Sequence, residues 1–151
     1  MSCTGGETTI HASAVAIDNI GVLIRGAAGS GKSSLALALI HDPQAKGVLV
    51  GDDRVVLWRK PIGVAIRPAP ATAGLIEVRG IGIVPTAHRA EARLGLVVDL
   101  LPIGECPRLP EDKDRRTMVC GLEVLRLALP IGSNDAALRV RIALRQWIDR
   151  R

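Results

Sequence analysis

Aromatic residues are almost absent from this chain of 151 residues, which has no Phe, no Tyr and only two Trp, Trp58 and Trp147. A core must therefore be built from Val, Leu, Ile and Ala, and a hydrophobic fraction of 48% is sufficient for one. Because base-stacking side chains are missing, nucleic acid is disfavoured as a partner, although the net charge is +5.

Long apolar runs and paired cysteines are lacking as well. No apolar run reaches the roughly 18 residues of a transmembrane helix, and the first residues lack a basic segment followed by an apolar one. Neither a membrane span nor a secretory signal is predicted. The chain has three cysteines, an odd number with no C-x-x-C spacing: Cys3, Cys106 and Cys120. This pattern indicates a reducing cytoplasm and predicts neither a disulfide framework nor a zinc site.

Basic residues are concentrated near the C-terminus. Such a segment is typical either of a tail that contacts nucleic acid or an acidic partner, or of a solvated helix face with its cations near the helix end. The second interpretation is favoured, because the arginine spacing matches no nucleic-acid-binding motif. The residues are Arg139, Arg141, Arg145, Arg150 and Arg151.

The clearest motif that is present is a complete phosphate-binding loop, G-x-x-x-x-G-K-S, at residues 26–33. A predicted strand over residues 21–25 precedes it and a predicted helix over residues 32–41 follows it, as the motif requires. Lys32 would reach the β- and γ-phosphates of ATP or GTP, and Ser33 would bind Mg²⁺. The loop consists of Gly26, Ala27, Ala28, Gly29, Ser30, Gly31, Lys32 and Ser33.

An acidic pair, Asp52 and Asp53, follows a short predicted strand and begins 20 residues after Lys32. Carboxylates at a strand end beside a phosphate loop can support Mg²⁺ or accept the proton of an attacking hydroxyl. Since neighbouring residues of an extended chain point in opposite directions, the two aspartates are expected to divide these roles. The alternative is a turn in which they cap local backbone N–H groups.

Two further positions carry candidate chemistry. Glu77 and Arg79 share one face of an extended segment, so the acid could help to bind Mg²⁺ and the arginine could neutralise a transferred phosphate. The alternative is a surface ion pair beside a bend. His11 lies on the first predicted strand, where it is either structural or orients the proton acceptor.

The remaining pattern predicts one α/β domain over residues 1–151, with a mixed sheet and few helices. An amphipathic helix is predicted over residues 134–150 with Ser133 as its N-cap, and residues 102–115 are expected to form an exposed loop. Residues 75–83 start as a strand and give way to a glycine-bearing loop. Strands are predicted over residues 10–17, 21–25, 48–50, 55–59, 63–67, 93–101, 117–119 and 124–129.

These segments together resemble the catalytic domain of the HPr kinase/phosphorylase family. The resemblance is close over residues 9–85 and weak from residue 102 onward. It implies a nucleotide-binding fold like that of phosphoenolpyruvate carboxykinase, and a short form of the family that has only the catalytic domain. The matching segments are Ile10-His11-Ala12, residues 21–33, residues 49–55 and residues 75–83.

The resemblance implies an ATP- and Mg²⁺-dependent kinase that phosphorylates a serine of HPr or a related phosphocarrier in the cytoplasm. Asp53 would be the general base and Asp52 would support it, while Lys32 would bind phosphate. Ser33 and Glu77 would serve Mg²⁺, and His11 would be an active-site residue.

A loop arginine also belongs to the implied site. Arg108 is the best positional match, with Arg115 and Arg116 as alternatives. The loop at residues 131–134 lacks an arginine that the family links to phosphorolysis, so weak or absent reverse activity is expected. Both a homo-oligomer and a monomer remain open. Other interpretations of the chain are a small-molecule kinase and an ATP-binding regulatory module that transfers nothing.

Overall fold

The computed structural model of the protein describes residues 6–148. Two α-helices, α1 (Lys32–His41) and α2 (Ala136–Ala143), occur among them, and α2 continues into a π-helical turn, Leu144–Ile148. The strands are β1 (Glu7–Ile10), β2 (Ser13–Ile17), β3 (Ile20–Gly26), β4 (Val48–Gly51), β5 (Val55–Arg59), β6 (Val64–Pro68), β7 (Leu75–Val78), β8 (Gly82–Pro85), β9 (Ala92–Leu101), β10 (Arg116–Val119) and β11 (Leu122–Pro130).

Nine of these strands form one mixed sheet. Its order is β1-β5-β6-β9-β3-β2-β4, with β11 on β9 and β10 on β11. The pairs β3–β9 and β9–β11 are parallel and the others are antiparallel, which confirms the predicted mixed α/β class with few helices. Because β3, β9 and β11 run in the same direction, their carboxyl ends meet at one edge, where ligands bind in open α/β sheets.

The core lies on both faces of this sheet. Leu35 and Leu39 of α1 pack with Val22 and Ile24 of β3 on one face, which also receives Val140 of α2. The alternate residue of β3, Leu23, belongs to a second cluster together with Leu57 and Ile66. Aliphatic side chains fill both clusters, as the near absence of aromatic residues required.

The predicted continuous strand over residues 10–17 is wrong. The chain leaves β1 at Ile10 and starts β2 at Ser13, so that β1 pairs with β5 whereas β2 pairs with β3 and β4. His11 and Ala12 form the connection between these two parts of the sheet. This break places His11 at a strand end instead of within a ladder.

The C-terminal helix begins at Ala136, two residues after the predicted start at residue 134. Asp135, not Ser133, occupies the N-cap position of α2, and the Ser133 hydroxyl donates a hydrogen bond to Asp135 Oδ1 at 2.5 Å. The N-cap prediction for Ser133 is therefore wrong. Arg150 and Arg151 lie outside the described residues.

Cys120 is buried and takes part in a disulfide, which contradicts the expectation that the cysteines form no such bond. Cys106 is a free thiol whose pKa is raised by burial. Cys3 lies outside the described residues. Among residues 6–148, no helix has the length and apolar character needed to cross a membrane.

Candidate active site at the phosphate loop

The phosphate loop joins β3 to α1 at the edge where the parallel strands end. Gly29 and Gly31 have φ angles of 80° and 101°, a left-handed backbone that favours glycine. Gly31 is the N-cap residue of α1 and provides no side-chain hydrogen bond to the helix. The N–H groups of the first turn are consequently free of a side-chain cap and can bind an anion.

Lys32 is folded back over this loop. Its ammonium donates hydrogen bonds to the carbonyl oxygens of Gly26 and Ala27, at 2.9 and 3.1 Å. Within residues 6–148 it forms no ion pair with a carboxylate. Its positive charge therefore remains available to a phosphate.

The start of the loop is tightly packed against Ser30. Gly26 has no room for a side chain, because a Cβ there would lie 2.4 Å from Ser30 Oγ and 3.2 Å from the Leu100 carbonyl oxygen. Ser30 is buried, so it cannot move away without shifting the loop backbone. A glycine is thus needed at position 26 for the loop backbone to lie this close to Ser30 and Leu100.

Replacing Gly26 by alanine is expected to weaken nucleotide binding. Overpacking of this kind costs about 1–3 kcal/mol, or about 5- to 150-fold in affinity if the strain falls on the nucleotide-binding form of the loop. Titration with a fluorescent ATP analogue measures the change. Gly104→Ala is the matched control, because a Cβ at Gly104 meets no atom within 4 Å; equal affinities of the two variants would contradict the prediction.

Asp52 is the centre of the hydrogen-bond network beside the loop. It is only 4% exposed, and its Oδ1 accepts hydrogen bonds from the hydroxyls of Ser33 and Ser13, at 2.6 and 2.7 Å. Its Oδ2 accepts the backbone N–H of Glu77 at 3.1 Å. One buried carboxylate thereby connects α1, β2, β4 and β7.

Asp53 has the opposite environment. Its backbone is left-handed, with φ of 68°, and its side chain is 68% exposed. The distance from Asp53 Oδ1 to His11 Nδ1 is 3.8 Å, which is an ion-pair separation and too long for a direct hydrogen bond. The two aspartates therefore differ in environment, since one is fixed by three donors and the other faces solvent, but Asp53 is left-handed and the difference does not come from alternation along an extended chain.

Glu77 and Arg79 belong to a hairpin that stands apart from the large sheet. β7 carries Glu77, whose side chain is exposed, whereas Arg79 lies in the three-residue turn before β8. Arg79 and residues 29–31 line one cleft of about 340 Å³, which residues 130–134 close from the other side. Because Arg79 lies in the turn and not in the strand, strand alternation does not place it on the same face as Glu77. The predicted common face of an extended segment is therefore not formed.

Comparison with known proteins identifies the family. The model of the HPr Serine kinase C-terminal domain matches residues 4–148. The chain belongs to this family. A solved structure of the Hpr(Ser) kinase/phosphatase from Coxiella burnetii is 28% identical, has a TM-score of 0.77, and the match covers 91% of this chain and 88% of that one.

Curated relatives named HPr kinase/phosphorylase are longer than the matched region. The protein from Mycoplasma mycoides subsp. mycoides is 31% identical over 142 residues, which are 86% of this chain and 44% of the relative. The protein from Burkholderia lata is 34% identical over 153 aligned positions, which cover 94% of this chain and 46% of the relative. The chain thus spans about half the length of the curated relatives that it matches.

The oxygen donors of this family member suit Mg²⁺, which prefers hard oxygen ligands. Ser33 supplies a hydroxyl, and Glu77 supplies an exposed carboxylate on a strand tied to Asp52. No cluster of three or more His, Cys, Asp or Glu side chains in residues 6–148 is able to hold a metal alone. Bound Mg²⁺ would accordingly share its coordination among these residues, nucleotide phosphates and water.

Arg108 is not brought to the phosphate-loop cleft. It lines a different cleft of about 690 Å³ between β11 and the C-terminal half of α2, and it forms no hydrogen bond or ion pair with any residue of the described range. Of the two alternatives, Arg115 lies over the Trp147 ring at 5.1 Å, and Arg116 forms ion pairs with two acidic side chains. Arg108 is therefore the least engaged of the three.

Ser13 donates a hydrogen bond to Asp52 beside the loop, and no motif in the sequence singles it out. It is a completely buried hydroxyl at the start of a strand whose other residues are apolar. A buried hydroxyl requires a hydrogen-bond partner. That requirement is the signal that could have singled out Ser13, although it would not have identified Asp52 as the partner.

Proposed function

We propose that this chain is the catalytic part of an ATP- and Mg²⁺-dependent protein kinase that phosphorylates a serine of HPr or a related phosphocarrier in the cytoplasm. The observation that carries the proposal is the unequal pair of aspartates beside the phosphate loop, with Asp52 bound to Ser33 and Asp53 exposed. The similarity to relatives named HPr kinase/phosphorylase supports the same acceptor.

Binding of the nucleotide would rest on the loop. The N–H groups of the loop and of the first turn of α1 would surround the phosphates, except the Ser30 N–H, which donates to the Ala27 carbonyl oxygen. Lys32 would leave the loop carbonyls to contact the β- and γ-phosphates. Mg²⁺, held with the help of Ser33 and Glu77, would neutralise charge on the phosphate oxygens. The γ-phosphoryl group would then lie at the carboxyl end of β3, where the phosphate loop begins.

Transfer would then need little more than deprotonation and positioning. As the acceptor serine oxygen forms its bond to the γ-phosphorus, the bond from that phosphorus to the leaving ADP oxygen breaks. The serine proton passes to Asp53, while Asp52 is held in place by its three hydrogen bonds. His11, 3.8 Å from Asp53, would orient that carboxylate.

Arginines would complete the charge balance. Arg79 lines the cleft next to residues 29–31, so it is close enough to approach the phosphates. Arg108 would have to come from the neighbouring cleft together with its loop. Since residues 131–134 contain no arginine, we expect weak or absent phosphorolysis.

The test of the proposal is phosphate transfer from labelled Mg·ATP to HPr of the same organism, with Lys32→Ala as the inactive variant. Label on a serine of HPr that disappears in the variant is the expected result. Nucleotide binding without transfer to HPr would contradict the acceptor and favour a regulatory module or a small-molecule kinase. Absence of nucleotide binding would contradict the kinase itself.

A further inference from the structure

Ser13 and Ser33 donate their hydroxyl hydrogens to the same oxygen. Ser13 Oγ lies 2.7 Å and Ser33 Oγ lies 2.6 Å from Asp52 Oδ1. Ser13 is fully buried, whereas Ser33 is the loop serine beside the phosphates. One hydroxyl thus supports the carboxylate from inside the protein and the other connects it to the nucleotide site.

The backbone around Ser13 is built for this contact. β2 and β4 pair with a register shift, because Ala14 lies opposite Gly51 and Val15 opposite Leu49, which leaves Val50 as an extra residue. Bulges of this kind re-aim side chains and are common next to active sites. Beyond the bulge, Ser13 reaches Asp52, the residue that follows β4.

Asp52 depends on these donors because no cation pairs with it in the described part of the chain. A buried carboxylate without a cation must be stabilised by hydrogen bonds, and here there are three. If Ser13 were absent, the carboxylate would lose one of the two donors on Oδ1. Only Ser33 would then hold that oxygen, and the side chain could turn or admit water.

We propose that Ser13 is a positioning residue for metal binding. This inference rests on the function proposed above. By fixing Asp52, Ser13 keeps the hydrogen of the Ser33 hydroxyl directed at Oδ1. A hydroxyl that donates its single hydrogen in this direction presents its lone pairs elsewhere, here toward Mg²⁺ on the nucleotide. Ser13 itself touches neither the metal nor the nucleotide.

The experiment is a Mg²⁺ titration of Ser13→Ala at a fixed concentration of a fluorescent, non-hydrolysable ATP analogue. Loss of a residue that orients a metal ligand typically lowers metal affinity by about 10- to 100-fold, and the same loss is expected here. Affinity for the analogue in the presence of EDTA should stay at the wild-type value. Thr9→Ala, which removes an exposed threonine side chain from β1, should change neither quantity.

Measuring the effect of the Ser13 substitution in a second variant background distinguishes a positioning role from a purely structural one. In Asp52→Asn, Ser13→Ala should have no further effect on Mg²⁺ affinity, because coupled residues are not additive. Ser13→Cys, which has nearly the same volume but only a weak donor, takes the place of Ser13→Ala if the alanine variant does not fold.

Three outcomes are decisive. Weaker Mg²⁺ binding that vanishes in the Asp52→Asn background supports the inference. Wild-type Mg²⁺ affinity in a folded Ser13 variant, or an equal loss in both backgrounds, overturns it while leaving the kinase proposal intact. A wild-type chain that binds no nucleotide overturns the proposed function and this inference together.

Discussion

Asp53→Asn should lower phosphate transfer to HPr by about 10²- to 10⁴-fold, the contribution typical of a positioned general base. Nucleotide binding should change little, because Asp53 is exposed and no hydrogen bond or ion pair joins its side chain to residues 26–33. An asparagine has the same shape but cannot accept the serine proton as a carboxylate does. Asparagine also tolerates the left-handed backbone at this position, where φ is 68°, so the local fold should be kept.

The matched control for this variant is Asp18→Asn. Asp18 is an exposed aspartate with a left-handed φ of 54°, in the turn between β2 and β3. Single-turnover transfer to HPr and fluorescent-nucleotide binding should be measured for both variants. Wild-type transfer by Asp53→Asn would remove the general base from the mechanism, whereas loss of nucleotide binding would mean that Asp53 serves the metal instead.

Asp99→Asn should destabilise the fold by about 3 kcal/mol, as expected when one partner of a buried ion pair is removed. Asp99 of β9 is only 7% exposed and accepts three hydrogen bonds from two arginines. Arg25, the residue before the phosphate loop, donates to both oxygens at 2.7 and 2.9 Å, and Arg126 of β11 donates at 2.6 Å. The variant would leave two cations facing each other without an anion.

Thermal unfolding provides the measurement. For a domain of this size, a loss of 3 kcal/mol corresponds to a Tm lower by about 6–12 °C. Asp112→Asn is the control, because Asp112 pairs with Arg116 at the surface with its side chain 82% exposed, and such pairs contribute little. Similar Tm values for the two variants would show that the buried network stabilises the fold no more than a surface ion pair does.

The same network predicts a dependence on pH. Burial alone would raise the pKa of Asp99, but the hydrogen bonds from Arg25 and Arg126 outweigh it and hold the pKa below its usual value. A carboxylate with a lowered folded-state pKa adds stability that is fully present above its unfolded pKa of about 3.9. The Tm difference between wild type and Asp99→Asn should therefore be constant near neutral pH and shrink as the pH falls below about 4.

Local patterns in the sequence determined much of this protein. The sequence predicts the phosphate loop because its glycines, Lys32 and Ser33 lie within eight consecutive residues of one strand–turn–helix unit. The helix over residues 32–41 and the strand that precedes the loop were predicted for the same reason. The acidic pair was found because its two members are adjacent and follow a buried strand.

Contacts between distant parts of the chain were decided only by the tertiary structure. Ser13 and Asp52 are 39 residues apart, and Glu77 reaches Asp52 across 25 residues. Composition and periodicity report which face of an element is apolar, but they do not report which strand lies beside it or in what register. The bulge between β2 and β4, the separation of β1 from β2 and the β7–β8 hairpin all depend on that register. The sequence thus determined the phosphate loop, whereas the folded sheet determined which hydroxyls and carboxylates surround it, because hydrogen bonds across a sheet join residues that no local pattern connects.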